Sequence, residues 1–87
     1  MKSRTTLKFW RMFDALPDDV RDHARRAYLI WRDNPAHPSL QFKRVSRSDP
    51  IYSVRIGLAH RAVGSLDGDT VTWFWIGSHD GYMRQLG

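Results

Sequence analysis

One stretch constrains the fold more than any other. Val71, Trp73, Phe74, Trp75 and Ile76 make the most hydrophobic run in the chain, with no polar alternation after Thr72. Such a run, bounded by turn residues, reads as a strand covered on both faces, and so as a central strand of a sheet. Gly77 and Ser78 stop it, and His79 and Tyr82 follow at once, three residues apart. Side chains at the exit of a rigid strand are firmly held, which is where folds display sites. The plainer alternative is that His79 and Tyr82 only cap the sheet edge with hydrogen bonds.

The rest of the chain supplies partners for that strand. Thr5 or Thr6 caps a first helix, on which Phe9, Phe13 and Leu16 share a face that Trp10 widens. Residues 1–4 fit a short edge strand. Pro17 suits the first position of a second helix, and Asp18 and Asp19 favour the positive end of its dipole. That helix runs to about Asp33 on the amphipathic spacing of Val20, Ala24, Ala27, Tyr28 and Trp31, and Asn34-Pro35 ends it.

After Pro38 the period changes. Residues 40–45 alternate, with Leu40, Phe42 and Arg44 on one face. Residues 51–57 alternate more cleanly, with Tyr52, Val54 and Ile56 facing one way and Ser53 and Arg55 the other. Residues 60–66 form the next strand, Asp67-Gly68-Asp69 signals a hairpin turn, and residues 70–77 form the fourth strand. Residues 79–86 read as one short helical turn or as an extended tail. Short turns make antiparallel neighbours. The expected fold is therefore α+β: an N-terminal helical hairpin packed on a four-stranded antiparallel sheet, as one domain over residues 1–87. The other sheet face is expected to be open and to carry Arg55, Ser53 and Arg61.

Charge gives that face its interest. Fourteen Lys and Arg stand against nine Asp and Glu, a net charge of +5, and eleven of the fourteen are Arg, whose planar fork matches phosphate. A polyanionic partner fits, either nucleic acid or an acidic protein, although solubility alone also explains such a charge. The chain has no Cys, which excludes disulfides and thiolate metal sites and points to a reducing cytoplasm. No signal segment and no stretch long enough to span a bilayer is visible. The four His lack metal-ligand spacing, and neither a phosphate-binding glycine loop nor a nucleophile elbow occurs. No metal, cofactor or membrane is expected.

What remains near the open face is Lys43, Arg44, Arg55, Arg61, His79 and Tyr82. This set suits RNA cleavage without a metal. A 2′-hydroxyl attacking the adjacent phosphate needs a proton acceptor, the departing 5′-oxygen needs a donor, and the phosphorane needs cations. His titrates near neutrality and serves as acid or base. Arg and Lys bind the phosphate and stabilise its added charge. A Tyr or Trp stacks on a splayed base.

The same residues carry a family likeness. Leu16-Pro17 between the helices, Asn34-Pro35-x-x-Pro38-Ser39-Leu40-x-Phe42-Lys43, Tyr52-Ser53-Val54-Arg55-Ile56, His60-Arg61-Ala62-Val63-Gly64 and Trp73–Ile76 leading into Gly77-Ser78-His79-Asp80-x-Tyr82 resemble the RelE/ParE superfamily of bacterial type II toxins, most closely its RelE, YoeB and HigB ribonuclease side. The resemblance implies a microbial-ribonuclease-like fold and a cytoplasmic enzyme that cuts messenger RNA, often on the ribosome. It also implies an acidic cognate antitoxin as partner. By resemblance, Arg61 contacts the scissile phosphate, Arg55 is the neighbouring basic position, His79 and Tyr82 are the C-terminal catalytic pair, and Lys43 is a looser basic match. Gly81 and Met83 depart from the family tail, where two acids are common, and the chain has no Glu. The general base is thus open among Lys43, a neighbouring Asp and His79 itself. The alternatives within the same fold are a ParE-like toxin that inhibits DNA gyrase and cuts nothing, and a catalytically weak binding module.

Overall fold

Thr6 sets where the first helix begins. Its hydroxyl accepts a hydrogen bond from the Phe9 N–H at 3.1 Å, satisfying a donor that the first turn leaves free. The structure is a computed structural model and describes residues 1–86. In chain order it has β1 (Lys2–Thr5), α1 (Leu7–Asp14), α2 (Asp18–Asp33), a 3-10 turn (Pro38–Leu40), β2 (Lys43–Arg44), β3 (Ile51–Ile56), β4 (His60–Asp67), β5 (Thr70–Ser78) and α3 (His79–Leu86). No helix among the described residues is long and apolar enough to cross a membrane.

The sheet has five strands in the order β1-β5-β4-β3-β2. The three pairings among β2, β3, β4 and β5 are antiparallel as expected, whereas β1 runs parallel to β5 along the far edge. The residue 1–4 stretch is thus a true edge strand, and the sheet is mixed. α1 rests against β5 and α2 against β3, both on one face. The Arg25 guanidinium bridges the helices, 5.4 Å from the Phe13 ring. Trp31, 1% exposed, stands at the centre of the core with its ring edge-on to Trp73 and Phe42 at 5.4 and 5.9 Å.

β5 is flanked on both edges, as its apolar run predicts, but the run hides a change of phase. Trp75 pairs with Val63 while Trp73 pairs with Gly64, so Phe74 is one residue too many. This β-bulge moves the alternation by one step. Val71, Trp73 and Ile76 therefore all lie in the core, while Trp75 turns to the other face. Gly64 makes the bulge possible: a Cβ there would come within 2.6 Å of Val71 and 2.9 Å of Trp73.

Two expectations need correction. The strand expected over residues 40–45 is only Lys43–Arg44. Pro38 opens a 3-10 turn in which the His37 ring nitrogen accepts from the Ser39 N–H, and Gln41 then adopts a left-handed conformation, φ 45°. Neither geometry continues a ladder. Second, the face away from α1 and α2 is not simply open. Ser78 Oγ accepts from the Gly81 N–H at 3.1 Å, which starts α3 directly after β5. α3 then folds back against β5 and β4. Ser53 and Val63, which face away from α1 and α2, are fully buried.

Candidate functional site

Register assembles the site. In β3 and β4, Arg55 lies opposite Arg61; Lys43 lies opposite Ser53, Ser53 opposite Val63, and Val63 opposite Trp75. Paired residues share a face and so do alternate ones. Lys43, Ser53, Arg55, Arg61 and Trp75 therefore all lie on the face that α1 and α2 leave uncovered. Like charges directly opposite each other weaken a sheet, so the Arg55–Arg61 pairing is not there for stability. No carboxylate neutralises it among the described residues, whose two ion pairs, Arg21–Asp18 and Arg25–Asp22, both lie on α2.

Arg61 is half-buried and held by neutral groups. One terminal nitrogen donates to Ser53 Oγ at 3.4 Å and the other to Gln41 Oε1 at 3.2 Å. Its guanidinium carbon lies 5.3 Å from the centre of the Tyr82 ring. Arg55 turns its Nε to the Gly57 carbonyl at 2.9 Å, bracing the β3–β4 turn. That turn is braced again from the other side, because the His79 N–H donates to the Ala59 carbonyl at 2.7 Å.

His79 opens α3, and Tyr82 follows one turn later on the same helix face. Their rings are 6.0 Å apart, and Tyr82 is 6.5 Å from Trp75. The Trp75 indole lies between the sheet and the first turn of α3, where a side chain at Gly77 would crowd it: an added Cβ would lie 3.0 Å from the ring at Gly77, against an ordinary contact of 3.4 Å at Gly81.

Of the six residues expected at the site, the structure gathers Arg55, Arg61, His79 and Tyr82. Lys43 is exposed on the same face at the short edge strand, one register row away. Arg44 pairs with Tyr52 and so points to the opposite face, where its guanidinium donates to the Ser46 and Arg47 carbonyls at 2.9 and 3.4 Å. Three residues without an assigned part join the group: Ser53 and Gln41, which hold Arg61, and Trp75 beneath Tyr82. Ser53 shares the alternation of Arg55 and was legible there. Gln41 sits between two core residues, in a segment whose pattern reads as a strand, and gives no such signal. Together the groups offer paired cations, an imidazole at the rim and an aromatic surface.

Residues 18–84 match the family described as ParE-like toxin domain. No curated protein matches the chain. Among solved structures, the toxin–antitoxin complex RelB-RelE of Methanococcus jannaschii is similar with a TM-score of 0.76 at 13% identity, covering 97% of this chain and 99% of that one. YafQ of E. coli strain BL21(DE3) is similar with a TM-score of 0.73 at 8% identity, covering 93% and 96%. The YoeB/ParE toxin of Agrobacterium tumefaciens gives 0.69 at 18% identity, covering 91% and 99%. At these identities the likeness is one of fold.

Proposed function

Because the chain belongs to the ParE-like toxin domain family, and is thus a toxin of the RelE/ParE fold, we propose that it is a metal-independent endoribonuclease that cleaves messenger RNA, on the ribosome, and so inhibits translation. The observation that carries this reading is Arg61: a half-buried cation without an acidic partner among the described residues, oriented by neutral acceptors, opposite Arg55 and over the Tyr82 ring at 5.3 Å. Partly buried cations left unpaired by protein carboxylates fit an anionic ligand.

In this reading Arg61 and Arg55 hold the scissile phosphate and stabilise the charge that grows on it. The 2′-hydroxyl oxygen attacks phosphorus, its proton passing to a base. The bond to the 5′-oxygen breaks, and His79 gives that oxygen its proton. The products are a 2′,3′-cyclic phosphate and a free 5′-hydroxyl. Tyr82, with Trp75 packed beneath it, offers ring surface for a splayed base. The protein acts in the cytoplasm, and an acidic cognate antitoxin silences it by laying carboxylates against the same arginines. Three similar folds are those of toxins solved with their antitoxins.

Induction in a bacterial host followed by mapping of RNA 5′ ends tests the reading. Codon-phased cuts in translated messages are expected. Intact RNA with induced DNA damage would instead favour gyrase inhibition, which the ParE-like family description keeps in view.

A further inference from the structure

We propose that Gln41 is a positioning residue that sets the Arg61 guanidinium for the phosphate, a role that rests on the reading of this face as a phosphate site. Gln41 is the one non-glycine residue with positive φ among those described, at φ 45° and ψ 45°. Glycine occupies this left-handed well freely, asparagine tolerates it, and glutamine enters it at a cost. The position closes the 3-10 turn, with the Gln41 N–H donating to the Pro38 carbonyl at 3.3 Å. Any residue but proline supplies that N–H, so the turn gives no reason for glutamine.

The side chain does give one. Its Oε1 accepts from an Arg61 terminal nitrogen at 3.2 Å, from twenty residues away in sequence. The second terminal nitrogen is held by the buried Ser53 hydroxyl, and Tyr82 lies against the guanidinium. The three contacts fix the plane of the fork before any substrate arrives, which is how a positioned group lowers a barrier. All three partners are uncharged. An Asp or Glu at position 41 would hold the fork equally well but would neutralise the charge the phosphate needs. Backbone strain kept at a site is accepted where the side chain it places has work to do.

This role makes an unusual demand: stability and activity must move in opposite directions. Gln41→Gly removes the amide and relieves the backbone. Its melting temperature is expected to rise, while steady-state cleavage falls roughly 10- to 100-fold, in kcat more than in KM. Gln41→Glu is expected to stay folded and to lose at least as much activity, because it pairs with Arg61. The position itself is read by 15N NMR of the Arg61 side chain, whose terminal N–H signals should be resolved in the wild type and averaged in Gln41→Gly. Unchanged Arg61 signals in Gln41→Gly, or a variant that loses stability and activity together, overturns the positioning role. A wild-type protein that cleaves no RNA overturns the phosphate-site reading beneath it, and the NMR comparison still decides whether Gln41 holds Arg61.

Discussion

Arginine does two different jobs on the two sides of this small sheet. On α2, Arg21 and Arg25 each lie beside an Asp three residues earlier, Asp18 and Asp22. Pairs of this spacing stabilise a helix slightly and leave no net charge. On β3 and β4, Arg55 faces Arg61, and the groups that hold Arg61 are a hydroxyl, an amide and a ring. The first arrangement satisfies the protein alone. The second leaves positive charge concentrated and oriented, at some cost to the sheet. Local pairing, more than the net charge, separates decoration from a site.

The contrast is testable, beginning with the residue that has the largest expected effect. His79→Gln keeps polarity and approximate size but cannot carry the proton. Single-turnover cleavage of a programmed ribosome complex should fall roughly 100- to 10,000-fold, while binding changes little because Arg and Lys supply it. The variant should also lack the limb of the pH–rate profile that a general acid imposes; equal rates and matching profiles would leave His79 structural. Arg61→Ala comes next, with a loss of about 100-fold, or roughly 3 kcal/mol of transition-state stabilisation. Its melt should shift by about 1 kcal/mol, since the buried Ser53 hydroxyl loses a partner while the repulsion with Arg55 is relieved. An unfolded or fully active variant would remove Arg61 from the site.

Antitoxin binding gives a smaller, graded signal. Calorimetry across salt concentrations should show affinity weakening as salt rises, with a shallower dependence in Arg55→Ala and little change in Arg25→Ala. A salt-independent affinity would argue against an electrostatic interface. The smallest effect belongs to the paired arginines. Arg25→Ala should leave cleavage unaltered and cost about 1 kcal/mol or less, from one exposed ion pair and its place over Phe13. A large loss of activity there would erase the distinction between the two faces.

Much of this architecture is legible in the residues, and the failures have physical causes. The 3.6 spacing of Val20, Ala24, Ala27 and Trp31 and the twofold alternation of Tyr52 to Ile56 are each set by one buried face, so helix and strand read directly. The Phe74 bulge does not read, because a run that is apolar on both faces has no phase to interrupt. β2 shortens because Gln41 turns left-handed, a conformation its side chain does not announce. Arg44 falls outside the site for a reason already in the pattern: alternation sets it with Leu40 and Phe42, on the core side. α3 is legible only as one of two readings of residues 79–86, a helical turn or an extended tail, because an eight-residue segment with Gly81 inside it carries a weak helical signal. Arg55, Arg61, His79 and Tyr82 come together because strand register, legible in the alternation, and one helical turn, one of the two readings of the tail, carry them there.

The edge pairing of β1 with β5 has a consequence for the order of events in folding. Lys2 hydrogen-bonds through its N–H to the Asp69 carbonyl, and Thr6 to that of Trp73. The first strand thus waits on nearly the last one to be synthesised. α1, α2 and the β3–β4 hairpin close over short distances and gain contacts early, whereas this ladder closes a loop spanning most of the molecule, among the costliest contacts to nucleate. The parallel edge is therefore a late event in assembly, and an exchange-labelling experiment on refolding chains should find the amides of residues 2–6 protected after those of β3 and β4.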